Sequence, residues 1–342
     1  MAPPRNIAFI LEEFGADTPA QHLLDRFLIG YPRDGEFHRP DDWQVHVWLA
    51  LGVPDQELFR RTQDFPLERH QTVESAAAAA DAIVFVPRQI AAPELLESVL
   101  QSAAKDSPVF AHGALAETAE EASRLAAQAA ERNILLAAGT PLSVTWRLPE
   151  IAPPAAALTD AVIVAQGPFP LAELHALDGL LPLLERRTGG DRAVRRVQHF
   201  KGARLWGLVD GPRRRLLAAA LSCSDSPQGD PVRDGRTQDL LGLNLLPKLA
   251  ANPRAWQIDH ADGLRSTIFV LDGVVADFNL AIKRTDGSLL YAQLFRPPPP
   301  QRHEFSRLAA TIEQFFRERR PPWSPDRALL TSKLLGMFAA AQ

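Results

Sequence analysis

Val109–Ile134 reads VFAHGALAETAEEASRLAAQAAERNI. It lays out a short buried strand, a small loop, a capped helix and the start of another strand. Thr118 and Glu121 stand three apart, the spacing of a capping box. Ala122, Leu125, Ala126 and Ala129 then form one small apolar helix face. The loop between strand and helix is His112-Gly113-Ala114.

The same alternation runs outward from this stretch. On its N-terminal side, Ile7–Leu11 reads as a buried strand. Thr18-Pro19-Ala20-Gln21 opens a helix, with threonine as cap, proline at the first helical position and glutamine closing a capping box. Gly30–Asp42 is rich in Gly, Pro and Asp and reads as a loop. Val45–Leu51 is the next strand, Val73–Ala80 a short helix, Ala82–Val86 a strand, Pro93–Ala104 a helix and Pro108–Ala111 a strand. On its C-terminal side, Leu135–Ala138 adds one more strand. Strands alternating with helices over about 140 residues predict a parallel, doubly wound sheet.

After Pro153-Pro154 the pattern changes. Ala161–Gln166, Val194–Phe200, Trp256–His260, Ser266–Leu271, Val274–Ile282 and Leu289–Phe295 are β-prone runs. Asp262-Gly263, Asp272-Gly273 and Asp286-Gly287 read as hairpin turns between them. Helices are expected at 171–187, 210–222, 303–318 and 326–340. The expectation is therefore an α/β chain with two domains. Residues 1–150 form a Rossmann-like doubly wound parallel sheet. Residues 151–342 form an α+β domain with a large open antiparallel sheet, its last helices packing back on the N-terminal domain.

Composition narrows the classes. The 342 residues are 46% hydrophobic and 23% charged, with a net charge of −4. These are values of an ordinary globular protein, without an electrostatic footprint for nucleic acid. The runs Arg213–Arg215 and Arg317–Arg320 read as solvated helix faces. One cysteine, Cys223, excludes an internal disulfide and a cysteine-rich zinc site. No apolar run approaches the ~18 residues of a membrane span. The N-terminus lacks a secretory pattern, so a cytoplasmic location is expected. The nine histidines show no H-x-x-x-H or H-E-x-x-H spacing, so no metal site is expected. Asp225–Gly235 is acidic and turn-rich without matching a calcium loop.

Four blocks resemble the Gfo/Idh/MocA family of sugar and inositol oxidoreductases, over nearly the whole chain. They are Ala80–Pro87 (ADAIVFVP), Leu115–Ile134, Leu174–Asp178 (LHALD) and the closing pair of helices around 310–335. Gly139–Pro149 (GTPLSVTWRLP) is similar to a stretch in an uncharacterised branch of that family. The resemblance implies a nicotinamide-dependent dehydrogenase. It also implies that His175 handles a substrate hydroxyl proton, with Asp178 at the substrate. His175 and Asp178 share a helix face at i, i+3. A histidine with a surface aspartate is the plainer alternative.

Three features expected for a nicotinamide cofactor are missing. The turn after the first strand, Leu11-Glu12-Glu13-Phe14-Gly15-Ala16-Asp17, has one glycine where the Rossmann fingerprint has three. It carries three acids, and an anion pair ~4 Å apart costs about 4 kcal/mol at a dielectric of ~20. The ribose-binding acid is absent from Trp48-Leu49-Ala50-Leu51, and Asp55 lies beyond Pro54. The family's Glu-Lys-Pro loop is His112-Gly113-Ala114 here, without the catalytic lysine.

The expected function is thus a divergent oxidoreductase-fold protein. It would take a sugar-like or acidic small molecule, with its nicotinamide chemistry lost or altered. NAD(P) is disfavoured as cofactor. Thr145, Trp146 and Arg147 could stack on and clamp such a ligand, or form a structural crossover. His112 could join them or be structural. Two alternatives stay open: a genuine NAD(P)-dependent sugar or inositol dehydrogenase with an atypical phosphate loop, and a non-catalytic subunit or scaffold. A homodimer or larger is expected through residues ~256–296, whose apolar Ile268, Val270, Phe278 and Leu280 would otherwise lie open.

Overall fold

The structure, a computed structural model, describes residues 5–152, 155–188, 193–226 and 239–342. Most of the acidic 225–235 segment and the Pro153-Pro154 boundary therefore lie outside the described residues. The chain divides into two compact units. One is Met1–Val144 with Pro297–Lys333; the other is Thr145–Arg296 with Leu334–Gln342.

The first unit is built on strands β1 (Arg5–Leu11), β4 (Trp43–Leu49), β5 (Leu67–Arg69), β6 (Ala82–Val86), β7 (Pro108–His112) and β8 (Leu135–Gly139). All neighbours in this sheet are parallel, in the order β5-β4-β1-β6-β7-β8. This is the 3-2-1-4-5-6 order of a doubly wound dinucleotide fold, with its switch point beside β1. Both faces are covered, which is why these strands read as continuous apolar runs. Helices α1 (Pro19–Leu28) and α10 (Glu304–Glu318) lie on one face, where Phe9, Val84 and Phe110 meet Leu24, Phe27, Leu308 and Ile312. Helices α3 (Val73–Ala78), α4 (Pro93–Ser102) and α5 (Ala119–Glu131) cover the other. Thr18, Thr72 and Thr118 each accept a backbone N–H at the start of α1, α3 and α5.

Two segments differ from expectation. Gly30–Asp42, read as a loop, contains the hairpin β2 (Tyr31–Arg33) and β3 (Glu36–His38). Its turn, Asp34-Gly35, has positive φ at both residues, the geometry Asp-Gly favours. Between β4 and α3 lie two further elements beyond those expected, the polar helix α2 (Gln56–Asp64), which buries Leu58, and the three-residue β5.

The second unit carries a seven-stranded sheet: β9 (Trp146–Leu148), β10 (Leu158–Ala165), β11 (Val194–Lys201), β12 (Ala251–His260), β13 (Arg265–Asp272), β14 (Phe278–Arg284) and β15 (Leu289–Phe295). The order is β11-β12-β13-β10-β14-β15-β9. Asp262-Gly263 and Asp286-Gly287 do turn hairpins. Asp272-Gly273 does not: β10 inserts between β13 and β14, pairing parallel with β13 and antiparallel with β14. The sheet is mixed, because β10 reaches its place by a long connection and not by a turn.

The apolar residues expected to lie exposed on this sheet are buried within the chain. Ile268, Val270, Phe278 and Leu280 are fully buried or nearly so within the chain. They share a face with Ile163, and α6 (Leu171–Leu184) packs there. A Cβ on Gly179 of α6 would meet Leu294 at 2.1 Å, so helix and sheet are in close approach. Phe338, near the end of α11 (Pro325–Ala340), stacks on Trp256 of the same face. On the opposite face, Val162, Val164, Phe269 and Ala281 pack against α7 (Gly202–Trp206) and α8 (Gly211–Leu221). The apolar face that motivated a partner is thus covered by the chain itself. Among the described residues no helix is long and apolar enough to cross a membrane.

Candidate functional site

The switch point of the first sheet is where a doubly wound fold binds a dinucleotide, with the pyrophosphate on the N–H groups opening the first helix. A pocket of about 280 Å³ lies there, lined by Glu13, Phe14, Gly15, Thr18, Gly52–Pro54 and Arg88. Several of its backbone donors are engaged within the turn. Gly15 N–H and Gln21 N–H both point to Thr18 Oγ1, at 3.4 and 3.2 Å. Asp17 N–H donates to Gln21 Oε1 at 2.7 Å, so Gln21 reaches one residue further back than a standard capping box. Pro19 has no N–H to offer.

The three acids of the turn are not equivalent. Asp17 accepts two hydrogen bonds from Arg302, at 2.9 and 2.8 Å, and contacts His22 Nε2 at 2.9 Å. Arg302, and after it His22, hold the Asp17 carboxyl well below the usual carboxylate range. Glu12 accepts Arg88 N–H at 3.0 Å, while Glu13 lies 3.9 Å from the Arg88 guanidinium. The expected repulsion is therefore reduced at Asp17, whose charge Arg302 compensates. The turn also bonds to itself, through Thr18 and Gln21. Asp55, the acid nearest the ribose position, faces Arg69 at 3.2 Å.

The His112-Gly113-Ala114 loop is equally closed. Gly113 has φ +98°, and a Cβ there would lie 2.3 Å from the Ile90 carbonyl oxygen. That oxygen accepts Ala114 N–H at 2.8 Å, and Gly113 N–H donates to Gly139 O at 3.1 Å. No side chain, and so no lysine, fits at Gly113 without moving backbone. His112, at the end of β7, is buried and stacked on Phe305, with ring centroids 6.1 Å apart. Its Nε2 meets no hydrogen-bond partner. Burial holds its pKa down to about 4, so it is a neutral ring at pH 7.

The second unit holds the other residues. His175 and Asp178 lie one turn apart on α6; His175 is half-buried and Asp178 buried. His175 meets Phe278 edge-on, with centroids 5.6 Å apart, and the Arg296 guanidinium lies 5.8 Å from the same ring. Phe278 thus carries a histidine and an arginine, and nothing in the local sequence pairs Arg296 with His175. Trp146 and Arg147 belong to edge strand β9, in register with Phe295 and Leu294 of β15. Thr145 is buried and its hydroxyl donates to Phe295 O. Trp146 and Arg147 thus pair as part of the sheet edge. Cys223 is half-buried, and burial pushes its thiol up, which disfavours a nucleophilic thiolate.

No protein-family model matches the chain, and no curated protein matches its sequence. Solved structures do. GenD2 from gentamicin A biosynthesis, in complex with NAD, superposes with a TM-score of 0.63 at 15% identity, over 100% of this chain and 95% of that one. The myo-inositol dehydrogenase from Lactobacillus casei, in complex with NAD(H) and myo-inositol, gives 0.62 at 12% identity, over 99% and 94%. Biliverdin reductase from Synechocystis sp. PCC 6803, in complex with biliverdin and NADP+, gives 0.59 at 12% identity, over 99% of both chains. The class this defines is a fold: a Rossmann-like parallel-sheet domain followed by a domain with a large mixed sheet, as in the Gfo/Idh/MocA-type dehydrogenases. At these identities the likeness carries the fold alone. A protein of gentamicin A biosynthesis, an inositol dehydrogenase and a biliverdin reductase share it, so the fold does not select a substrate.

Proposed function

We propose that this chain is a divergent oxidoreductase-fold protein that binds a sugar-like or acidic small molecule and has lost or altered nicotinamide chemistry. One observation carries the reading: at the turn where a dinucleotide fold cradles a pyrophosphate, the N–H groups of Gly15, Asp17 and Gln21 are bonded to Thr18 and Gln21 of the same turn. The obstructed Gly113 position supports it, since the family's lysine has no room there. Ligand recognition is assigned to the second unit. His175 would exchange a hydroxyl proton, Asp178 would orient it or contact the ligand, and Arg296 or Arg147 would meet a carboxylate. A cytoplasmic location goes with this reading. Self-association would have to use surface other than the covered sheet face.

Titration of the protein with NADH and NADPH, followed by fluorescence and calorimetry, tests the reading. No saturable binding is expected below about 1 mM, weaker than about −4 kcal/mol. Micromolar binding would reinstate the genuine NAD(P)-dependent dehydrogenase with an atypical phosphate loop. That alternative is favoured by the strand order, which keeps the switch point and a pocket beside it. A thermal-shift panel of polyols, hexuronic acids and sugar phosphates then distinguishes a ligand-binding protein from a non-catalytic subunit or scaffold.

A further inference from the structure

Spacing along the chain gave no reason to expect a metal site, but the first sheet brings three donors together at its edge. His46 lies on β4, Glu68 and His70 on and just after β5. The strands are parallel with His46 opposite Glu68, and His70 N–H donates to Val47 O at 2.9 Å, extending the ladder. Residues two apart on a strand, and residues in register on its neighbour, face the same side. All three side chains therefore converge.

The distances suit an ion. His46 Nδ1 and His70 Nε2 are 2.9 Å apart. Glu68 brings Oε2 to 3.7 Å from His46 Nδ1 and Oε1 to 3.6 Å from His70 Nε2. A tetrahedral ion with bonds of about 2.0–2.1 Å separates its ligand atoms by roughly 3.3 Å, so small shifts of the rings and the carboxylate would seat one. Among the described residues this is the one such group of histidine and carboxylate donors.

The surroundings fix the ring orientation. Ser75 Oγ, on α3, donates its only proton to Thr72 O at 3.0 Å. It lies 3.1 Å from His70 Nδ1 and can accept a proton from it. That arrangement puts the His70 proton on Nδ1 and turns the lone pair of Nε2 to the cluster. A histidine ligand held by a hydrogen bond from its other nitrogen is the usual support of a metal site. His46 Nε2 is buried without a partner whichever nitrogen holds the proton, so liganding Nδ1 creates no new unpaired atom. A plain hydrogen bond between the rings accounts for two of the three groups. It leaves the Glu68 carboxylate within 4 Å of both rings with no hydrogen bond to either, a gap that a cation fills.

We propose that His46 Nδ1, Glu68 and His70 Nε2 form a binding site for a divalent transition ion of the zinc type. Two imidazoles and one carboxylate are a donor set that suits such ions. Glu68 is exposed, which leaves room for water at a fourth position. The ion ties edge strand β5 to β4.

The test uses full-length protein freed of metal by a chelator, titrated with zinc chloride by calorimetry and with cobalt(II), whose visible absorption reports four-coordination. The expectation is one site with a Kd of about 10 μM or tighter. His70→Ala and Glu68→Gln, both at solvent-accessible positions, should each weaken it at least tenfold, while His303→Ala leaves it unchanged. Circular dichroism confirms that each variant is folded. Absence of saturable binding overturns the proposal. So does zinc binding that survives both His70→Ala and Glu68→Gln, or that is lost in His303→Ala.

Discussion

Replacing Gly113 by alanine should cost more stability than a positive φ alone explains. At φ +98°, an added Cβ lies 2.3 Å from Ile90 O. An L-residue in a disfavoured backbone region costs about 1–3 kcal/mol. Displacing the Ile90 carbonyl also loosens its hydrogen bond from Ala114 N–H, worth about 0.5–1.5 kcal/mol. The sum is about 2–4 kcal/mol. For a unit of this size each kcal/mol moves the midpoint by roughly 2–4 °C, so Tm should fall by at least about 4 °C. Gly35 supplies the control. Its φ is +86°, yet nothing lies within 4 Å of a Cβ there, so Gly35→Ala carries the backbone term without the clash. Scanning calorimetry of both variants separates the two contributions. If Gly113→Ala melts no lower than Gly35→Ala, the loop is not closed as described, and the steric case against a lysine there fails. Gly113→Lys extends the test to function. It should be at least as unstable as the alanine variant and should gain no NAD(P)-dependent turnover, since the lysine arrives only by disrupting the loop that would position it.

Three further outcomes follow from the same geometry. Burial lowers the pKa of His112 in the folded state to about 4 from an ordinary 6.5, so its contribution is full above pH 6.5 and is lost as pH falls towards 4. Denaturant titrations across that window should show stability dropping by up to about 3 kcal/mol, and His112→Phe should flatten the slope; an unchanged slope would show that His112 does not titrate as a buried ring. His175→Asn should cut affinity for any ligand found in the panel at least tenfold, about 1.4 kcal/mol, with little change in Tm; intact affinity with a lowered melting point makes His175 structural. Leu280→Ala should destabilise the chain by about 2–5 kcal/mol without changing its mass in light scattering, because α6 already covers that face; a change of mass would return the face to the role of interface.

The first unit was the more legible because its signals are local. Buried parallel strands are short apolar runs, and Thr18, Thr72 and Thr118 mark helix starts by chemistry that needs no tertiary context. The hairpin at Tyr31–His38 was legible too, in its Asp34-Gly35 turn, but the density of Gly and Pro around it hid the alternation. What the sequence could not carry was pairing. Asp272-Gly273 satisfies every local requirement of a hairpin, and the strand that separates β13 from β14 comes from over 100 residues earlier in the chain. The covered sheet face failed for the same reason: apolar alternation says that Leu280 is buried, not whether α6 or a second copy buries it.

The candidate sites divide along the same line. His175 and Asp178 are one helical turn apart, so their common face follows from the helix period alone. Arg296 joins their neighbourhood only through Phe278. His46, Glu68 and His70 show the limit most sharply. Glu-x-His on a strand puts two donors on one face, and that much is written in the sequence. The third donor depends on β5 pairing with β4 in a register that places His46 opposite Glu68, and a slip of one residue would turn every donor of one strand to the other face. The turn after β1 is the converse case. Its single glycine and three acids argued against a pyrophosphate through charge, whereas folding neutralises Asp17 with Arg302 from the far end of the chain. Under the proposed reading the case against the cofactor rests on hydrogen bonding in place of charge. The N–H groups of Gly15, Asp17 and Gln21 are bonded to Thr18 and Gln21, and an anion using them would have to break hydrogen bonds that cap α1 before it could form its own.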